Sequence, residues 1–213
     1  HVIENEYSKI LARSVSLQGQ VASALAPVTL TTNFNPSGVS NSLSDQLKVV
    51  ARLIAARNTL NVKRQVFFVS LGGFDNHDYL MTDQPPLLAK VNEAMGAFHR
   101  ATVEMGIASQ VTAFTASDFG RTLASNGDGS DHGWGSHHFI VGGAVRGGQF
   151  YGTAPRVSVT SDDQVGQGRL LPSTATDQYA ATLARWFGVA DSELPLVLPN
   201  IVNFNSRTLG FLG

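Results

Sequence analysis

Hydrophobic and polar positions follow two patterns along the chain. Apolar residues at helical spacing predict four helices, at about residues 4–25, 45–57, 85–106 and 177–187. Two short apolar runs, residues 66–71 and 111–116, end in glycine or polar residues and are typical of strands buried on both faces. A third short run follows at 139–141, and residues from 194 to the end are loop-like.

The order of these elements predicts a fold class. Strand, helix and strand between residues 66 and 116 make a βαβ unit, whose two strands are parallel and joined by a right-handed crossover. We therefore expect an α/β fold, in which a mostly parallel sheet is sandwiched by helices. The 213 residues suit a single domain, and a chain that begins with His1 rather than Met is most simply a piece of a longer protein.

Composition narrows the function classes. The formal net charge of -1 gives no indication of nucleic-acid binding. The absence of cysteine excludes thiolate metal sites, disulfides and a cysteine nucleophile. No apolar run approaches the roughly 18 residues that a membrane span needs.

One polar, glycine-rich stretch, residues 117–138, lies between two of the predicted strands. It holds three histidines and three aspartates. Loops of this length without structure of their own tend to be functional. We expect a metal-binding loop at the carboxyl edge of the predicted sheet, where open α/β folds place their ligands.

The first candidate ligands are Asp75 and His77, which follow the first predicted strand. Carboxylate oxygen and imidazole nitrogen bind zinc, manganese or iron without cysteine. A turn stabilised by the aspartate, with a surface histidine, explains the same residues about equally well.

The second candidate is Asp118 at the end of the second predicted strand, where it could bind a metal, cap a helix or pair with Arg121. Arg121 itself could bind a phosphate, sulfate or carboxylate group, because its guanidinium matches two oxygens. A structural pair with an acid is an equally weighted alternative.

The third candidates are Asp131 and His132, followed by His137 and His138 after a glycine-rich spacer. The last two point to opposite sides if they begin a strand, so at most one of them is expected to be a ligand. We slightly prefer His138. Three strand exits that carry such residues would converge at one sheet edge, where one ion, or two about 4 Å apart, could be held.

The runs V-F-F-V-S-L-G-G-F-D-N-H-D, S-D-F-G-R-T and D-H-G-W-G-S-H-H-F-I-V-G-G-A-V-R-G-G-Q carry a family resemblance. Together they resemble the exported bacterial family called domain of unknown function 1501, although most relatives have Glu where Asp118 stands. The resemblance implies a place in the alkaline phosphatase and sulfatase superfamily. It also implies twin-arginine export to the periplasm or exterior, with this chain as the C-terminal part of a longer protein.

Our first hypothesis is a metal-dependent hydrolase that acts on a small or polymeric phosphate or sulfate ester. Zinc is favoured, with manganese, calcium or magnesium as alternatives. Arg121 would steady the anionic group, and the metal would be held by Asp75, His77, Asp118, Asp131, His132 and His138. The second hypothesis is a non-catalytic exported metal-binding or scaffold protein, because no convincing serine or threonine nucleophile precedes Asp75. The missing N-terminal part is a candidate partner under either hypothesis.

Overall fold

The computed structural model describes residues 2–213. Its helices and strands are, in order, α1 (Val2–Leu25), α2 (Ser42–Ala55), α3 (Leu80–Glu104), β1 (Thr112–Phe114), β2 (Gly120–Ser125), β3 (Ser130–Gly133), β4 (Ile140–Gly142), α4 (Thr176–Phe187) and α5 (Leu194–Val197). Two 3-10 turns, Ala108–Gln110 and Pro199–Asn203, complete the set. The four predicted helices are confirmed, with ends that differ by up to five residues.

The predicted sheet is wrong. Within residues 2–213 the strands form two small antiparallel pairs, β1 with β4 and β2 with β3, rather than a parallel sheet covered by helices. The run 66–71 forms no strand, and its residues alternate between exposed and half-buried. The side chains of this run favour an extended backbone, and the glycines after it favour a turn. A strand also needs a neighbouring backbone with which to form hydrogen bonds.

The chain divides into two compact units, and both take residues from α3. One unit contains the chain up to Leu71 together with Glu93–Gly106, and the other contains Gly72–Asn92 and Ile107–Gly213. The expectation of a single domain stays a prediction.

The buried residues of the first unit lie largely on α2 and on the second half of α3. The apolar stripe expected on α2 is buried, and the Asn41 side chain caps the helix by accepting a hydrogen bond from the Ser44 amide at 3.4 Å. Ala24 is the buried residue of α1, whose other described side chains are exposed or half-buried. No helix within residues 2–213 is both long and apolar enough to cross a bilayer.

In the second unit, α4 packs on the segment expected to be a loop. Ala181 of α4, Leu194 and Ile201 form a buried apolar cluster, so this tail is folded as α5 and a 3-10 turn. Gly188 ends α4 with φ of 108°, a left-handed conformation that glycine adopts without a steric penalty.

The predicted loop at 117–138 is also more ordered than expected. Most of it is a β-hairpin of β2 and β3, here called the site hairpin, which turns through residues 126–129. Asn-Gly at the head of the turn is typical of a hairpin connection. Gly129 lies so close to the chain at His77 that a Cβ atom there would meet the His77 carbonyl oxygen. The glycine thereby lets the hairpin pack closely against residues 72–77, here called the site loop.

Candidate metal centre

Two segments far apart in sequence build the centre. The site loop carries Asp75 and His77, and the site hairpin carries His132. The Ser130 amide donates a hydrogen bond to the Asn76 carbonyl at 3.4 Å, so the backbones of the two segments are in direct contact. Because the two backbones are in contact, side chains on one segment can reach side chains on the other.

The register of the hairpin decides which side chains face the site loop. Arg121 of β2 lies directly opposite His132 of β3. Directly opposed residues of an antiparallel pair project from the same face. Both side chains therefore reach the same target, the Asp75 carboxylate.

Asp75, His77 and His132 form a compact group, here called the Asp–His cluster. His132 Nε2 lies 2.7 Å and His77 Nε2 lies 3.1 Å from Asp75 Oδ1. One ligand atom from each residue lies within 4.8 Å of the other two. The two imidazole rings are 4.8 Å apart between centroids.

These separations suit a shared ion after a small adjustment. Metal–ligand bonds of about 2.0–2.2 Å in a tetrahedral site place neighbouring ligand atoms roughly 3.4 Å apart. The two shortest contacts in the cluster are below that value, so an ion would replace direct hydrogen bonds and move the side chains slightly apart. The side chains of Asp75, His77 and His132 are 59%, 44% and 49% exposed, so each has room to move.

Asp131 stands at the edge of the cluster. Its Oδ1 lies 3.5 Å from Nδ1 of His77 and accepts a hydrogen bond from Nδ2 of Asn126 at 3.1 Å. His77 thus contacts Asp75 through one ring nitrogen and Asp131 through the other. This position suits a partner that orients a ligand, because histidine ligands use their second nitrogen in this way.

Arg121 is the best-covered charged group of the site, with 15% of its side chain exposed. Nη2 donates to the Phe74 carbonyl at 2.7 Å and to Asp75 Oδ1 at 3.0 Å, and Nη1 donates to the Ser130 carbonyl at 2.6 Å. These acceptors are part of the protein itself. The role expected for Arg121, binding an anionic group of the substrate, stays a prediction.

The same contacts set the charge of Asp75. The hydrogen bond from His132 lowers the pKa of the Asp75 carboxyl, and the hydrogen bond from Arg121 lowers it further, whereas partial desolvation opposes both. A carboxylate that stays ionised is in the form that binds a cation.

Besides Asp131, two more of the expected ligands lie outside the cluster. Asp118 is exposed. His138 places Nδ1 3.4 Å from Thr115 Oγ1 and its ring 5.9 Å from that of Tyr179. Burial lowers the pKa of His138, and so does the neighbouring His137. Within residues 2–213 these two side chains do not converge with the cluster.

Phe119 is a residue of the site that the sequence did not single out. Its ring stacks on His132 with centroids 4.2 Å apart and planes at 20°. The guanidinium carbon of Arg121 lies 5.0 Å from the centroid of the same ring. An aromatic residue beside a predicted ligand is too common to be a signal by itself.

The fold and the site define a class of protein. In this class, a loop and a hairpin bring two imidazoles and a carboxylate together as a candidate metal centre. A family model confirms the resemblance of the motifs, since it matches residues 6–193, and the chain belongs to that family, described as protein of unknown function DUF1501. No curated protein and no solved structure matches the chain.

Proposed function

We propose that the protein binds a divalent metal ion through the Asp–His cluster and uses it to hydrolyse a phosphate or sulfate ester. One observation carries the proposal: three side chains of metal-binding type, from two distant segments, place ligand atoms within 4.8 Å of one another. The support is geometric and chemical, and it does not depend on the overall fold.

The donor set favours zinc. Two imidazole nitrogens and one carboxylate oxygen suit zinc, and also manganese or iron. Calcium and magnesium prefer oxygen ligands throughout, so the cluster is a poorer match for them. One ion accounts for the three residues, and a second ion would need ligands from outside the cluster.

Three protein ligands are the number found in catalytic zinc sites, which keep one coordination position for water or substrate. A metal ion bound there would supply Lewis acidity and lower the pKa of a water molecule. The chain's own contribution is to hold the two imidazoles by their partners, to keep Asp75 ionised, and to leave the cluster open to solvent. The exposed ligands would allow a large or polymeric ester to approach.

The finer parts of the proposal rest on the family resemblance alone. They are descent from the alkaline phosphatase and sulfatase superfamily, and export to the periplasm or exterior through the twin-arginine route. The motifs around Asp75, Arg121 and His132 support them, whereas the parallel sheet that the superfamily implies is not part of this proposal.

A non-catalytic metal-binding or scaffold protein is the second candidate. It is favoured by the direct hydrogen bond between His132 and Asp75, because such a contact stabilises the cluster without any ion. It is also favoured by α1, where Ile3 is 85% and Tyr7 67% exposed, as expected for a surface that meets another protein.

Metal analysis tests the binding step. Purified, untagged protein is loaded with zinc, dialysed and measured for metal content and for affinity by competition with a chelator. We expect His132→Ala to weaken zinc binding by more than about 100-fold, because even the partners of ligands contribute about 10–100-fold. Asp118→Ala and the matched control His137→Ala should bind as the parent does. Full metal content in His132→Ala would show that the proposed centre is wrong.

Activity assays separate the two candidate functions. The zinc-loaded protein is screened against phosphomonoesters, phosphodiesters and sulfate esters, together with the His132→Ala variant. Hydrolysis by the parent alone supports the enzyme. Tight zinc binding without hydrolysis supports the scaffold.

A further inference from the structure

Arg121 contacts both halves of the proposed centre. It lies on β2 opposite His132, and it donates a hydrogen bond to Asp75 on the site loop at 3.0 Å. Its other acceptors are the carbonyl of Phe74, 47 residues away in sequence, and that of Ser130. One side chain therefore connects the site loop to the site hairpin at three points.

The geometry of these bonds requires a guanidinium. Nη2 donates hydrogen bonds to two acceptors on the site loop, the Phe74 carbonyl and Asp75 Oδ1. Nη1 donates to the Ser130 carbonyl on the hairpin. A planar fork can hold acceptors on two sides at fixed angles, whereas a lysine ammonium cannot reproduce that arrangement. With 15% of the side chain exposed, the fork is covered by the segments that it joins.

Arg121 also acts on the orientation of the histidine. Its guanidinium carbon lies 5.0 Å from the centroid of the Phe119 ring, and that ring stacks on His132. The imidazole is therefore held between the ring on one side and Asp75 on its edge. Loss of Arg121 would remove one hydrogen bond to the Asp75 carboxylate and one contact of the ring that stacks on His132.

From these contacts we infer that Arg121 is a positioning residue, which fixes Asp75 and His132 at metal-binding separation. The inference rests on the proposed metal binding and adds to it. Simple electrostatics makes the opposite prediction, because a guanidinium beside the cluster repels a cation, and its removal should then tighten binding. The sign of the effect distinguishes orientation from repulsion.

The test compares zinc affinity in the parent, Arg121→Gln, Arg121→Lys and Arg156→Gln. Arg156 is the matched control because it also pairs with a carboxylate, with Nε 3.0 Å from Asp163 Oδ2, outside the cluster. We expect Arg121→Gln and Arg121→Lys to bind zinc about 10–100-fold more weakly, as partners of metal ligands do. Arg156→Gln should bind as the parent does.

A double-mutant cycle distinguishes positioning from general damage. In an Asp75→Asn background, Arg121→Gln should weaken zinc binding by much less than it does in the parent, because one of the two ligands that Arg121 positions is already lost. Circular dichroism checks the folding of every variant, and Arg121→Lys decides the matter if Arg121→Gln does not fold. A parent that binds no zinc overturns the proposed function itself. A parent that binds zinc while both Arg121 variants bind as tightly, or more tightly, overturns only the positioning role.

Discussion

The site hairpin and the apolar run at residues 66–71 are opposites in composition and in outcome. The hairpin is polar and rich in glycine, yet it is paired, with Thr122 and Ser130 buried. The run is apolar and β-prone, yet within residues 2–213 it pairs with no strand, and Phe68 is 93% exposed. Hydrophobicity alone would have predicted the reverse.

The difference shows which interactions decide order here. The hairpin closes on itself through a four-residue turn, so its backbone partners are supplied by the local sequence. In the described part of the chain, no strand pairs with residues 66–71. The Gln46 side chain meets both backbone groups of Ser70, donating to its carbonyl at 2.9 Å and accepting from its amide at 3.1 Å. The Gln46 side chain thus supplies the two hydrogen bonds that one residue of a neighbouring strand would supply, but it cannot supply those of a whole strand.

The largest combined effect on stability and zinc binding is expected from a change that breaks the ordered region. In Gly129→Ala, the new Cβ would meet the His77 carbonyl oxygen, a backbone atom that cannot rotate away. We expect the free energy of unfolding to fall by about 1–3 kcal/mol, the usual cost of overpacking. Zinc affinity should fall as well, because the hairpin can no longer approach the site loop. Urea unfolding and a zinc titration measure the two effects.

Gly147→Ala is the control for that change. A Cβ at Gly147 meets no other atom within 4 Å, so the same substitution there should leave stability and zinc binding nearly unchanged. Equal stability of the two variants would show that the hairpin and the site loop do not pack as closely as described.

Residue chemistry made the site predictable to a useful degree. Asp75, His77 and His132 were selected as carboxylate and imidazole ligands in polar segments, and they are the three that converge. Sequence could not reveal why they converge. We expected parallel strands ending at one edge, whereas the actual cause is a hairpin register that sets Arg121 against His132.

The overall fold was less predictable because strand pairing is not local. Helices depend on spacing within one segment, and α1 to α4 were found from that spacing. The runs at 66–71 and 111–116 looked equivalent, but only the second found a partner, β4, and the pairing is antiparallel. The same expected sheet led us to place Asp118 and His138 with the other ligands at one edge, whereas neither joins the cluster.

Glu104, in the other unit, is a second charged residue that joins two segments distant in sequence, as Arg121 does in the site. Its carboxylate accepts hydrogen bonds from the amides of Thr31 and Thr32 at 2.6 and 2.9 Å. The bond from Thr31, followed by that from the Thr32 side chain, lowers the pKa of Glu104 from 4.5 to about 2. A folded-state pKa below the unfolded one means that this stabilisation is complete above pH 4.5 and is lost as the pH falls through about 2.

We therefore expect Glu104→Gln to have a shallower loss of stability than the parent between pH 4.5 and 2. Urea midpoints measured at several pH values across that window provide the comparison. Parallel pH profiles for the parent and Glu104→Gln would mean that Glu104 does not hold the segment at Thr31.

The smallest expected effect tests the apolar run itself. Phe68→Ala removes a side chain that is 93% exposed, so the free energy of unfolding should change by less than about 0.5 kcal/mol. The matched change Phe98→Ala removes a side chain that is 4% exposed, and it should cost about 3–5 kcal/mol. Urea unfolding of both variants gives the two values side by side. A cost for Phe68→Ala that approaches that of Phe98→Ala would mean that residues 66–71 are buried in solution, as a strand of the expected sheet would be.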